Sequence, residues 1–291
     1  MMTLRPILLP TLCAVAALAG ACDDSVRISS TRSDTSGKGV LKVVEALQCP
    51  QTVGSLTRKG SAQSEGRVCT YVGPKGAEVT LHLAPLDGGE PAEVLKAFET
   101  RLSAALPEAV ARLKASAAQV DADQARADAE AARAEAQAGQ AAAEGDSASV
   151  RAPGVAIDAK GDDASVRLPG VSIDAKGDRA SVRIGGFHID ANDSDGSARI
   201  TTSGDGEGDS VVVNARDDTA EVRTRAGGGA TRASWVLTDN RASASGWKLV
   251  GYEARGPVGG PLVVATVRSR DNDRDRAFQD ARELVTLNVG E

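Results

Sequence analysis

Side chains able to do chemistry are few in this chain, and their surroundings argue against catalysis. Only two histidines occur, His82 and His188. His82 lies in an alternating run and points opposite to Leu81 and Leu83, while His188 fills a repeat position held by Ala156 and Ser172 in other copies. Both read as ordinary surface histidines rather than proton shuttles. The chain has no G-x-S-x-G elbow, no H-E-x-x-H pair and no phosphate-binding P-loop. Cys49 and Cys69 have no histidine cluster near them, which makes a poor zinc site. Asp271, Asp273 and Asp275 have the first spacings of an EF-hand loop, but Arg276 stands where glycine is needed and Arg282 replaces the bidentate glutamate. A helix start, where acids favour the dipole, fits that segment better. The loops at 190–196 and 204–209 are the remaining places for Ca²⁺, and they lack the glycine-rich nonapeptide of calcium β-rolls. No catalytic residue, resident metal or cofactor is expected.

The amino terminus carries an address. Arg5 precedes an apolar run from Ile7 to Ala19, and small residues follow. That order is a secretory signal peptide over residues 1–21, too short for a comfortable bilayer span, which takes about 20 residues. The stretch Leu18-Ala19-Gly20-Ala21-Cys22 resembles the lipobox of bacterial lipoproteins. The resemblance implies a lipid on Cys22 and an anchor whose acyl chains each add about 0.8 kcal/mol per buried methylene. Ala19-Gly20-Ala21 also fits an A-x-A cleavage site, which keeps plain secretion as the alternative. Cys13 leaves with the signal peptide. With Cys22 lipidated, Cys49 and Cys69 remain to form one disulfide, as suits an oxidising compartment.

Net charge is −6, which argues against nucleic acid as a partner. Aromatic residues are only 2 %, too few for one large, densely packed enzyme core. Several small modules are expected instead. Residues 22–39 are a Ser/Thr/Gly-rich tether. Residues 40–106 form a small α+β domain: a helix from Val40 to Leu47, strands at Val68–Val72 and around Val79–Leu83, and a helix opened by Pro91. Residues 107–145 form an Ala-rich helical arm about 57 Å long if fully helical, read as a spacer. Residues 234–291 form a β-hairpin plus helix whose order matches that of Val68 to Leu106, and the two pieces are expected to pack together.

Between them, residues 146–233 hold a repeat. Ala148 begins ASVRAPGVAIDAKGD, Ala164 begins ASVRLPGVSIDAKGD and Ala180 begins ASVRIGGFHIDAN, a spacing of 16. Each copy has two alternating runs, separated by Pro-Gly or Gly-Gly and then by a Gly-Asp turn, which predicts two strands per copy. Val150, Val155, Ile157 and their equivalents are expected to face inward as stacked units bury a continuous stripe. The fold class is therefore α+β with a β-repeat region, either a β-solenoid or an elongated sheet. An antiparallel meander is the rival; Leu-Pro-Gly favours a type II turn, which splays a two-residue hairpin. Outward, Arg151, Arg167 and Arg183 recur in one column and Asp158, Asp174 and Asp190 in another. They form either a solvated face or a binding surface for an ionic polymer.

The repeats resemble adhesin-like β-repeat domains of bacterial envelope proteins. VLKVVEALQCP and GYEARGPVGGPLVVATV resemble a bacterial group, some of whose members are described as methyltransferases. That activity would need a nucleotide-type α/β fold with a Gly-rich turn after its first strand, and the sequence lends it no support. The expected function is a non-catalytic cell-envelope lipoprotein. It would be held on the membrane through its lipid and would present its charged repeats to an envelope protein or glycan. The alternative is an envelope enzyme with Asp, Glu or Tyr side chains gathered between the two α+β pieces.

Overall fold

Val79, Leu81 and Leu83 alternate with polar residues, and Val263, Ala265 and Val267 do the same near the other end of the chain. In the computed structural model these two runs are neighbours: β4 (Glu78–Ala84) pairs antiparallel with β16 (Leu262–Ser269), Leu81 opposite Ala265. The structure describes residues 40–138 and 147–291, apart from residues 153–154, 161–162, 169–170, 185, 194–195, 204–208, 227, 242 and 272–273. The signal segment, Cys22 and the tether lie outside the described residues.

Around that seam the strands run β1 (Thr52–Val53), β2 (Leu56–Arg58), β3 (Val68–Val72), β4, β16, β15 (Leu249–Gly256) and β14 (Thr231–Asp239). Helix α3 (Arg274–Val289) lays Ala277, Ala281, Leu284 and Val285 on one face, against Tyr71, Val79, Leu81 and Val267. Helix α1 (Pro91–Ser103) and the start of α2 (Pro107–Ala138) cover the other. There Leu95, Phe98, Leu102, Leu106 and Leu113 meet Trp235, Tyr252, Leu262 and Val264. This part is a three-layer base, and each fully buried Leu or Val contributes about 1.5–3 kcal/mol. Cys49 and Cys69 form the disulfide, which closes a separation of 20 residues and adds about 3 kcal/mol in the chain-entropy account. Gly54 shows how tightly the first hairpin docks on α3. Its φ is +52°, and a Cβ there would stand 2.1 Å from Asp280 Oδ1. Asp280 Oδ2 accepts hydrogen bonds from the Ser55 amide at 2.9 Å and the Ser55 hydroxyl at 2.5 Å.

Beyond β14 the sheet continues through β13 (Thr219–Ala226), β12 (Ser210–Arg216), β11 (Ser197–Ser203) and β10 (Phe187–Asn192). It then runs on through β9 (Arg179–Ile184), β8 (Val171–Lys176), β7 (Asp163–Leu168), β6 (Val155–Lys160) and β5 (Ser147–Ala152). Among the described residues sixteen strands thus form one sheet in which every neighbour is antiparallel. The elongated sheet is what the repeats build. The β-solenoid is not: consecutive strands pair as a meander, the arrangement the Pro-Gly turns argued against. Leu168 pairs with Val171 and Lys176 with Arg179, and only two residues join each pair of strands from β5 to β10. Gly177 at φ 52° and Asp217 at φ 46° supply the left-handed residues that suit tight hairpins. A one-residue slip would carry Val166 and Ile173 to the polar face, so the six-residue pattern holds the register.

Three further expectations need correction. Val40 to Leu47 is not helical. Its backbone bonds elsewhere, Lys42 N to Val289 O at 2.9 Å and Leu47 N to Gly66 O at 2.9 Å, while Leu41 and Leu47 are buried and Val40 and Val43 are not. The Ala-rich helix is no free spacer at its start, because Leu106, Ala109, Leu113 and Ser116 are buried on the sheet. Finally, the stripe of Ile157, Ile173 and Ile189 does not face inward: each is 36 % exposed on a sheet of one layer.

Candidate functional site

The repeat alternation divides β6–β11 into two unlike faces. One carries the columns singled out for binding. On it Asp174 stands opposite Ser165 and Ser181, and Arg183 opposite Ser172 and His188. Like charges in a column are therefore two strands, roughly 10 Å, apart. The intervening serines are used: Ser165 Oγ donates to Asp174 Oδ1 at 2.9 Å and Ser172 Oγ to Asp174 Oδ2 at 3.1 Å. Arg183 Nε donates to His188 Nδ1 at 2.9 Å, and His188 Nε2 lies 2.6 Å from Asp190 Oδ2. His188 thus bridges an Arg and an Asp of the two columns, a relay sequence reading missed because neither residue adjoins it in the chain. Asp158, Asp174 and Asp190 are half-buried; Arg167 and Arg183 are exposed. Arg151 lies on β5 opposite Ala156, and its side chain is outside the described residues. The structure therefore sets Arg167, Arg183, Asp158, Asp174 and Asp190 on one face as two interleaved columns rather than as a converging pocket.

Nearer the base the same face is covered. Arg199 Nη1 lies 3.7 Å from Asp121 on α2. Arg112, also on α2, donates to Thr219 Oγ1 through Nε at 3.2 Å and Nη2 at 3.1 Å, and its Nη2 pairs with Asp239. Under α1, Tyr252 Oη donates to Glu99 Oε1 at 2.9 Å and Arg223 Nη2 to Glu99 Oε2 at 2.8 Å. Arg223 Nη2 also reaches Glu221 Oε1 at 3.2 Å, as does Trp235 Nε1 at 2.7 Å, while Asn214 Nδ2 donates to Glu221 Oε2 at 3.1 Å. This is the gathering of Glu and Tyr an enzyme between the pieces would require. All four carboxylate oxygens are engaged within it. Burial first, and the Glu99 charge second, push the Tyr252 phenol upward, which keeps it neutral and unsuited as a base. The network clamps α1 to the sheet.

A shallow pocket of about 190 Å³ opens on the α1 side of the β4–β16 seam, lined by Glu78, His82, Phe98, Arg101, Thr266 and Arg268 among others. Clefts for small molecules usually reach about 300 Å³ or more. His82 is not the surface histidine expected: its ring lies 5.2 Å from that of Phe98, and burial, aided by the Arg101 charge, lowers its pKa from 6.5 to about 4. The folded imidazole thus takes up its proton near pH 4 and the unfolded one near 6.5, so acid favours unfolding across that interval. Stability is expected to fall by about 3 kcal/mol between pH 6.5 and 4 on this account. Urea midpoints measured through this range should lose most of that slope in His82→Gln; an unchanged slope would assign the acid sensitivity elsewhere.

Among the described residues no cluster of three or more His, Cys, Asp or Glu is placed to hold a metal. Asp271 pairs with Lys75; Asp273 and the 204–208 segment are outside the described residues. No helix among the described residues is long and apolar enough to cross a membrane. No protein family, curated protein or solved structure matches the chain.

Proposed function

We propose that the protein is a non-catalytic scaffold of the bacterial cell envelope, anchored by lipid on Cys22, whose Arg/Asp face binds an envelope glycan or protein. The observation that carries this reading is the placement of the charged columns. Arg167, Arg183, Asp174 and Asp190 recur at regular intervals on a sheet that extends past the helix-covered base. A repeating ionic ligand would meet the same pair of charges about every 10 Å. The lipobox resemblance at Leu18–Cys22 supports the anchor, and the engagement of all four Glu99 and Glu221 carboxylate oxygens by Tyr252, Arg223, Trp235 and Asn214 weighs against the enzyme alternative.

Two measurements on one preparation test it. Intact mass of the membrane-bound chain should exceed that of Cys22→Ala by a diacylglycerol-sized increment or more, and Cys22→Ala should leave the membrane fraction. Sedimentation with purified cell-wall sacculi should be reduced at least tenfold by Arg167→Ala/Arg183→Ala and weakened by salt. An unmodified, soluble chain would restore plain secretion. Retention by sacculi that ignores both arginines would move the binding surface off this face.

A further inference from the structure

The opposite face of the same strands is apolar in nearly every position. By register, Ala159, Ala164, Ala175, Ala180, Ala191 and Ala198 form one column. Ile157, Val166, Ile173, Val182, Ile189 and Ile200 form the next, and Leu168, Val171, Ile184, Phe187 and Thr202 the third. Only Thr202 is polar. The α3-covered face of the base continues directly into this one, since Ile200 pairs with Val213, Val213 with Val222 and Val222 with Val236. Val213 is still buried, whereas Leu168, Ile184 and Phe187 are 40 %, 49 % and 57 % exposed. A monomer seldom leaves so continuous an apolar surface in water.

We infer that this face is the dimer interface of the protein, occupied by the same face of a second copy. Three features select a second copy. First, the columns are self-complementary. Under a two-fold axis running along β8, each base and its α3 lie beyond the other copy's β5, and the Val/Ile columns meet at the centre, apolar column over apolar column. Second, the area suffices. Six strands from β6 to β11, each six residues or so, span roughly 29 Å by 20 Å, about 1,200 Å² for the pair. Stable interfaces bury about 1,200–2,000 Å². Third, the charge pattern disfavours a lipid surface. The rim turns beside the alanine column set Asp163, Asp178, Asp193, Asp217 and Asp218 against Lys176, Arg179 and Arg216, an acidic balance that an anionic membrane would repel. The two layers would pack as an aligned β-sandwich about 10 Å apart and leave both Arg/Asp faces outward. This goes beyond the glycan reading and does not depend on it, because that reading uses the other face.

Sedimentation velocity of the full chain carrying Cys22→Ala tests the inference. Twice the monomer mass is expected at micromolar concentration. The mass should halve in Ile173→Lys/Ile189→Lys and stay double in Ser181→Lys on the polar face. Circular dichroism establishes whether each variant retains its sheet. A conservative probe covers a folding failure: with Ile173→Cys a short bismaleimide should link two chains covalently, and with Ser181→Cys it should not. A monomer at all concentrations would overturn the inference. So would a dimer that survives both lysines, which would indicate pairing at the β5 edge, or a monomer that floats with anionic vesicles through the same isoleucines. Loss of sacculus binding with the dimer intact would strike the glycan reading alone.

Discussion

Trp235→Ala is expected to cost about 4 kcal/mol of folding stability, read as a lowered urea midpoint. The indole is 2 % exposed, stacks on Tyr252 with ring centroids 6.2 Å apart, and donates to Glu221 at 2.7 Å. It sits on β14, the strand that joins the three-layer base to the single-layer repeats. Truncation would leave a cavity under α1 and take one donor from Glu221, which keeps Arg223 and Asn214. Trp235→Phe separates the two effects. It keeps most of the buried surface and should cost less than half as much, the remainder reflecting the lost hydrogen bond. Equal losses in Phe and Ala variants would mean that the hydrogen bond dominates.

Arg112→Ala should be nearly as damaging, at about 3–5 kcal/mol, for a different reason. Asp239 is 2 % exposed and would lose the guanidinium that neutralises it, keeping only the Arg241 amide at 3.0 Å. Arg112→Lys should not restore the loss, because one ammonium cannot reproduce the forked contacts to Thr219 and Asp239. The double change Arg112→Met/Asp239→Leu should regain most of it, since an apolar pair of similar volume avoids the desolvation both charges suffer. Urea titration of the two single variants and the double supplies the coupling energy. Strict additivity would show that α2 is held by its leucines and not by this pair.

Elements with strong local signals were legible in the sequence. The alternation at Val68–Val72, Pro91 opening α1, and the 16-residue repeat all correspond to observed elements. Elements that depend on remote partners were not. β1 and β2 are two and three residues long and exist because Asp280 of α3 holds their turn. β14 went unseen as a strand because Trp235 and Leu237 look to α1 and α2 while Val236 looks to α3, giving a run buried on both faces with little alternation to detect. Val40 to Leu47 has helical spacing, yet the amides of Lys42 and Leu47 find better partners in Val289 and Gly66. For the site, the charged columns could be read from the repeat, but the solenoid expectation hid their context. Alternation specifies that two faces differ; it does not specify whether the apolar one is enclosed by the same chain. The Glu99–Arg223–Glu221 network spans more than 120 residues of sequence and has no local signature.

The closure of β4 on β16 also determines how the molecule would carry a pull. The described chain begins beside Lys42, whose amide bonds to Val289 two residues from the last, Glu291. Between these points the backbone leaves the base through α2 and returns to it at β14, so the repeats hang from the base as a side branch. Traction between the amino-terminal segment and the base would be borne by β1–β4, β16 and the Cys49–Cys69 bond, while β5–β13 stay out of the load path. Hairpins of 16 residues could then be added or lost, each changing the branch by about 10 Å, without altering the contacts that carry such a load.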